Sequence, residues 1–165
     1  MIPDQLQARL AAVRRRLAQN AEHAEREPPT GLTDPDPGAS ERWEASQVWA
    51  HLAEFVGYWH DELASIVRMY DGMPVPFGRV KTDAGRIAAI ELGRHRPIAE
   101  LAAQLDQSIS RLVEYLQHLD EAAWQARGVH ETVGVLDVPA VVDRFIVSHL
   151  EEHADQLDRL WPAAG

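Results

Sequence analysis

The feature that most constrains the fold of this chain is a three-four spacing of apolar residues along four long segments. An α-helix advances about 100° per residue, so such spacing places apolar side chains on one stripe of a helix. Between residues 97 and 119 the stripe comprises Ile98, Leu101, Leu105, Ile109, Leu112, Leu116 and Leu119. About residues 3–23, 41–70 and 138–157 show the same period, with no convincing strand alternation between them. We therefore predict an all-α four-helix bundle, formed by residues 1–165 as a single domain.

Turn and cap residues divide the predicted helices. Proline and glycine mark loops at residues 27–38 and 71–78, and two glycines lie in a connector at residues 120–137. Ser40 is the predicted N-cap of the second long helix, and Thr82 or Asp83 is expected to cap a short extra helix that Gly93 closes. Asp137 can cap the last helix, which has a proline in its first turn. The short extra helix therefore lies in the connection between the second and third long helices.

The charge and polarity of the chain argue against two classes of partner. The net charge is −10, whereas proteins that neutralise nucleic-acid phosphates cluster lysine and arginine. The first residues are polar and lack the pattern of a signal peptide, and no apolar run is long enough to cross a bilayer. We therefore expect a cytoplasmic protein that binds neither nucleic acid nor membrane.

The absence of cysteine limits the chemistry that the chain can perform. It excludes disulfides, thiolate nucleophiles and cysteine-based zinc sites. A metal would have to be held by histidine and carboxylate, and a site of that kind commonly keeps a position open for water or substrate. Any thiol chemistry would require an external low-molecular-weight thiol.

Two histidines one turn apart lie on the apolar stripe of the last predicted helix, so His149 and His153 are expected to point inwards. A pair spaced in this way suits two ligands of one metal ion, such as zinc or nickel. A shared ion would also satisfy ring nitrogens that are costly to bury. His51, between Val48 and Phe55 on the second helix, is the best candidate for a third ligand. The alternative is that these histidines are ordinary core residues with hydrogen-bond partners.

A second pattern overlaps the histidine pair. Residues 149–153 match the H-x-x-E-H motif of one class of zinc peptidase, in which Glu152 would be the general base. A match this short arises easily by chance, so we do not expect a peptidase. Glu152 could instead orient a ligand histidine or a bound water, or lie solvated at the edge of the stripe.

Three stretches of the chain share their order and spacing with a known family. They are residues 49–53, 124–134 and 148–157. Together they resemble the DinB/YfiT-like superfamily of metal-dependent enzymes. The resemblance implies an up-down-down-up four-helix bundle with nickel or zinc on His51, His149 and His153. Relatives include thiol-dependent S-transferases and a mycothiol-dependent maleylpyruvate isomerase, and dimers are common among them.

The resemblance and the residues together predict a divalent-metal-dependent S-transferase or isomerase, a homodimer that acts on a small molecule with an external thiol. Candidates to line its substrate pocket are His130, Trp124, Tyr58 and Gln156. Two alternatives stay open at this point. One is a metal-binding stress or interaction protein without catalysis, and the other is a metallohydrolase that uses metal-bound water and Glu152.

Overall fold

The computed structural model describes residues 2–35 and 40–161, and helices dominate these residues. The elements follow the chain as α1 (Asp4–Arg26), α2 (Ala45–Met69), β1 (Val75–Phe77), α3 (Ala84–Gly93), α4 (Ile98–His118), α5 (Glu121–Trp124), β2 (Arg127–His130), β3 (Gly134–Asp137), α6 (Val138–Val141), a π-helical segment (Val142–Val147) and α7 (Ser148–Asp158).

Four long helices form a bundle around one core: α1, α2, α4 and a last helix that comprises α6, the π-helical segment and α7. Both α1 and α2 pack against α4 and α7, so α1 and α2 occupy opposite corners of the bundle. The short helix α3 lies between α2 and α4 in the chain and packs on α2. The predicted all-α four-helix bundle is therefore confirmed as the fold class.

The apolar stripe predicted for the third long helix is buried as expected. Its central residues are at most 2% exposed: Leu101, Leu105, Ile109, Leu112 and Leu116. Burial of each such side chain stabilises the fold by about 1.5–3 kcal/mol before chain entropy is subtracted. Across residues 2–35 and 40–161, the helices fall short of the length and apolarity that crossing a bilayer requires.

The start of α2 differs from the prediction. Ser40 does not cap this helix, because the helix begins at Ala45 with Glu44 as its N-cap. Thr33 holds the backbone that precedes α2: its N–H donates to Trp43 O (2.9 Å), and its Oγ1 accepts from Trp43 N–H (2.9 Å). The Glu44 N–H donates to the side chain of Gln47 (3.0 Å), which completes a capping box.

Asp83 and Gly93 bound α3, but Gly93 acts differently from the prediction. The Asp83 carboxylate accepts the Arg86 backbone N–H (2.8 Å), so Asp83 is the N-cap. The helix ends at Gly93, which does not adopt the left-handed conformation of a glycine cap. A Cβ on Gly93 would lie 2.8 Å from the Ala50 Cβ. This glycine therefore allows α3 to pack closely against the part of α2 that carries His51.

A small sheet joins the two connectors, in which the sequence shows no convincing strand alternation. β1 pairs with β2 in parallel, and β2 pairs with β3 in antiparallel, so that Phe77 lies opposite His130. A Cβ on Gly128 would lie 2.5 Å from the Phe77 ring, so glycine is required at this position of β2. The strands contain only three or four residues, which is too few for alternation to be recognised in a sequence.

The last helix begins as predicted and then changes its winding. The Asp137 carboxylate accepts the Ala140 N–H (2.9 Å), and Pro139 lies in the first turn. The chain then follows a π-helix through Val142–Val147 and returns to an α-helix at Ser148. π-turns of this kind are rare and occur often at functional sites. This one directly precedes the histidine pair, and the apolar spacing of the sequence did not predict it.

Candidate metal centre

His51 projects from α2 into the bundle and is 2% exposed. Its Nδ1 lies 3.2 Å from Glu54 Oε1, one turn further along the same helix. Arg79 Nη2 donates to both oxygens of that carboxylate, at 2.6 and 2.7 Å. Burial raises the pKa of Glu54, and the hydrogen bond and charge of Arg79 act in the opposite direction. The Nδ1–H of His51 therefore points to a carboxylate, and its Nε2 is directed away from Glu54.

His149 and His153 project from one face of α7 towards His51. The Nδ1 of His153 lies 2.7 Å from Gln156 Oε1. Since an amide oxygen only accepts, His153 donates from Nδ1 and its Nε2 presents a lone pair. The ring of His149 stacks on Phe55, with centroids 4.4 Å apart, and its Nδ1 lies 3.6 Å from Glu152 Oε2. Helix packing and ring stacking thus orient both rings.

The three imidazoles meet at their Nε2 atoms. His149 Nε2 lies 3.0 Å from His51 Nε2 and 2.9 Å from His153 Nε2, and the three ligand atoms all lie within 4.8 Å of one another. A neutral His149 has one ring N–H, which serves one of these acceptors at a time, whereas a divalent cation accepts lone pairs from all three rings. Metal–nitrogen bonds of about 2.1 Å at angles near 90–110° separate ligand nitrogens by about 3.0–3.4 Å. The donor set therefore fits a divalent metal, and imidazole alone does not choose between nickel, zinc and iron.

Arg9 of α1 clamps the π-helical segment that precedes His149. Its Nη1 donates to Asp143 Oδ1 (2.6 Å), and its Nη2 donates to Ser148 Oγ (3.0 Å) and Glu151 Oε2 (2.6 Å). Asp143 and Ser148 are five residues apart and share a hydrogen bond of 3.2 Å, which the wider π-turn allows. The clamp therefore fixes the rotation of the last helix immediately before its first histidine.

The cluster holds His149 in the neutral form. Burial is the largest cause that lowers the pKa of His149 from its usual 6.5 to about 2. Electrostatic repulsion from His153 and His51, and from Arg86 and Lys81, lowers it further. A metal binds the neutral ring, so this environment favours ligation near pH 7.

A cavity of about 690 Å³ opens beside the three histidines. Its apolar lining comes from α2, α3 and the segments next to them: Trp43, Phe55, Trp59, Val80, Ile87 and Ile90. The lining also carries both signs of charge: Asp34, Glu41, Arg79, Lys81, Arg86, Glu91 and Glu152. The described residues thus form a pocket of small-molecule size with an apolar body and a varied polar rim.

Of the other predicted site residues, some line the cavity beside the histidines and others lie elsewhere. Gln156 and Glu152 line the cavity beside the histidines. Tyr58, His130 and Trp124 are not among the cavity-lining residues of ranges 2–35 and 40–161. His130 packs instead among aromatic rings at the end of β2, and Tyr58 lies under the guanidinium of Arg79. Trp124 is buried in the core.

Sequence reasoning missed Glu54 and Arg79. Glu54 follows His51 by three residues, a spacing that places both side chains on one helical face, and this signal could have identified it. Arg79 lies in the connection after β1, where no periodicity predicts which way a side chain points. Only the fold brings it to α2.

A comparison with family models identifies the relatives of this chain. The model described as the DinB superfamily matches residues 4–157. The chain belongs to the DinB superfamily. The resemblance inferred from the three sequence stretches is therefore confirmed. No curated protein sequence matches this DinB-superfamily chain at a significant level.

Solved structures share the fold of this DinB-superfamily chain at low sequence identity. YfiT from Bacillus subtilis is 16% identical, with a TM-score of 0.72, and the match covers 98% of this chain and 92% of YfiT. A mycothiol-dependent maleylpyruvate isomerase is 17% identical, with a TM-score of 0.62 and coverage of 92% of this chain. A mutant of that isomerase gives the same TM-score at 16% identity. This chain spans 60% of the isomerase chain, and because the identities are only 16–17%, these similarities establish the fold alone.

Proposed function

We propose that this chain is a divalent-metal-dependent enzyme that transfers or isomerises a small-molecule substrate with an external low-molecular-weight thiol. The observation that carries the proposal is the convergence of three imidazole Nε2 atoms beside a cavity of about 690 Å³. Three protein ligands leave at least one coordination position for a reactant, which is typical of catalytic rather than structural sites.

Two of the three histidines have a defined task in this proposal. His51 and His153 donate Nδ1–H outwards, to Glu54 and Gln156, and direct Nε2 towards the metal position. The bound metal would supply Lewis acidity, which lowers the pKa of a thiol. The thiol comes from outside because the chain contains no cysteine. Trp43, Phe55 and Trp59 line the cavity and offer apolar contacts to a substrate.

The descriptions of the solved relatives support metal-dependent or thiol-dependent chemistry. The isomerase of the same fold is described as mycothiol-dependent. YfiT, which matches over nearly its whole length, is described as a probable metal-dependent hydrolase. Both descriptions concern metal or thiol chemistry, and the cavity beside the histidines offers room for a substrate in addition to a metal ligand.

Metal analysis of the purified chain tests the common premise. We expect about one equivalent of Ni²⁺ or Zn²⁺ per wild-type chain, and far less in His51→Ala and His149→Ala because each variant lacks one ligand. His118→Ala is the matched control, since His118 is exposed and bonds to its own helix at Glu114 O (2.7 Å). A wild-type chain that binds no stoichiometric metal under any loading refutes the proposal.

A thiol screen tests the reaction class. Metal-loaded protein is assayed with mycothiol, bacillithiol or glutathione and an electrophile, and we expect turnover that depends on one of these thiols and disappears in His149→Ala. Stoichiometric metal without turnover in any combination contradicts the transferase or isomerase, and it favours a metal-binding protein without catalysis.

A metallohydrolase is the second candidate function. It is favoured by the position of Glu152, which lines the cavity and approaches His149 Nδ1 to 3.6 Å, where its carboxylate could accept a proton from an attacking water. Glu152→Gln should then abolish hydrolysis of ester or amide substrates while the metal is retained. Hydrolysis unchanged in Glu152→Gln contradicts this role, and thiol-dependent turnover that survives the substitution favours the first function.

A further inference from the structure

The carboxylate of Glu54 connects a predicted metal ligand with a guanidinium from another part of the chain. One oxygen, Oε1, lies 3.2 Å from His51 Nδ1, and both oxygens accept hydrogen bonds from Arg79 Nη2. The side chains of Glu54 and Arg79 are only 15% and 13% exposed. Hydrogen bonds between charged groups are strong, and little water competes for these.

Arg79 is held in place by more than this one carboxylate. Its guanidinium carbon lies 3.9 Å from the centroid of the Tyr58 ring. The backbone N–H of Gly78 donates to Glu62 Oε2 (2.5 Å). Glu54, Tyr58 and Glu62 are spaced by four residues, so they form a continuous row along α2 that binds the chain at residues 78–79.

The position of the Glu54 carboxylate decides which ring nitrogen of His51 is directed towards the proposed metal position. A carboxylate held at Nδ1 fixes the ring tautomer and its rotation, and it makes Nε2 the better electron-pair donor. A glutamate on an exposed turn samples several rotamers, whereas a buried carboxylate whose two oxygens both accept hydrogen bonds from a guanidinium samples fewer. Arg79 supplies these bonds from a segment that also lines the cavity.

We propose that Arg79 is a positioning residue for His51, which it orients through Glu54, and that it thereby ties the cavity wall after β1 to the metal centre. The inference rests on the proposed metal site and deepens it. It assigns to Arg79 the task of securing ligand geometry, so loss of Arg79 weakens metal binding although Arg79 touches no metal. Removal of partners that orient a histidine ligand typically weakens metal affinity by about 10–100-fold.

A single nitrogen of Arg79 makes both hydrogen bonds to Glu54, and this detail gives a sharp test by substitution. A lysine ammonium can donate to two oxygens from one nitrogen, so Arg79→Lys should recover a large part of the affinity that Arg79→Met loses. Arg94→Met is the matched control. Like Arg79, Arg94 pairs with a glutamate, in its case Glu44 at the N-terminus of α2 (3.0 Å), but it contacts none of the three histidines.

The experiment measures Co²⁺ and Zn²⁺ affinity by competition with a chelator, together with the visible absorption of the Co²⁺ complex. We expect affinity to fall by about 10–100-fold in Arg79→Met, with an altered Co²⁺ spectrum, and to stay within about twofold of wild type in Arg94→Met. In Glu54→Gln, adding Arg79→Met should weaken binding little further, since both residues act through one contact.

Each result decides the inference. Wild-type affinity and spectrum in Arg79→Met overturn it, and so do additive losses in the double variant, which would show that Arg79 does not act through Glu54. Circular dichroism confirms folding, and if Arg79→Met does not fold, Arg79→Lys and Glu54→Gln supply the comparison. If the wild-type chain does not bind metal, the proposed function itself is overturned. That result is distinct from normal metal binding by the wild type with unchanged affinity in Arg79→Met, which overturns only this inference.

Discussion

Acid should destabilise the metal-free protein because the fold holds His149 neutral. The pKa of His149 is about 2 in the folded chain and 6.5 when the ring is fully solvated, mainly because burial disfavours the charged ring. The unfolded chain therefore binds a proton as the pH falls below 6.5, whereas the folded chain does not until about pH 2. Stability from this group is complete well above pH 6.5 and is lost as the pH falls through and below that value.

The size of the effect follows from the linkage between proton binding and folding. One group contributes a loss of at most about 1.4 kcal/mol per pH unit below its unfolded pKa. The His149 side chain is 33% exposed, so solvent screening reduces the loss to about 1 kcal/mol between pH 7.5 and 5.5. For a chain of this length, that corresponds to a fall of about 2–4 °C in Tm.

Thermal unfolding in EDTA at several pH values measures this contribution. Between pH 7.5 and 5.5 we expect the Tm of His149→Gln to fall less than the Tm of wild type, by about 2–4 °C. His95→Gln is the control, because His95 is 73% exposed and lies outside the cluster; its pH dependence should match wild type. Equal pH dependence in wild type and His149→Gln would refute the reasoning.

Two further substitutions test how the site is supported. Gly78→Ala should lower the free energy of unfolding in urea by about 1–3 kcal/mol, since Gly78 has φ +92° and a Cβ would lie 2.4 Å from the His130 ring. Gly57→Ala is the control and should have no such cost, because a Cβ there would meet nothing within 4 Å. Equal losses in the two variants would contradict this account. Arg9→Met should lose about 1–2 kcal/mol and speed amide exchange across the π-helical segment, because it removes the bonds to Asp143 and Glu151; unchanged exchange there would refute the clamp.

The bundle could be predicted because each long helix carries its pattern over many turns. Leu101 to Leu116 are buried, as the three-four spacing predicts. The same spacing predicted that His149 and His153 point inwards, where they meet His51. Such patterns report burial summed over a whole helix, so they tolerate local irregularities. The short strands offered no comparable signal, because three or four residues cannot display a period.

The finer parts of the site depend on contacts between distant segments, which a period cannot encode. The π-helical segment shifts the register before His149, and it is stabilised by Arg9, which lies more than a hundred residues away in the chain. Arg79 likewise reaches Glu54 only because β1 directs the chain back along α2. Sequence patterns therefore predicted the three histidines that converge in the bundle, but they did not reveal the residues that orient those histidines.

The two sides of the cavity differ in how firmly the fold fixes them. His51 and His153 are buried on helices that pack across the bundle core, whereas Val80 and Ile87, which also line the cavity, are 44% and 53% exposed. A metal centre requires ligand positions constant to fractions of an ångström, and buried helices provide them. An exposed wall accepts substitution at little cost in stability. In the proposed enzyme, substitutions on the exposed wall can therefore change the substrate specificity without loss of the metal, provided that Arg79 continues to anchor this segment to α2.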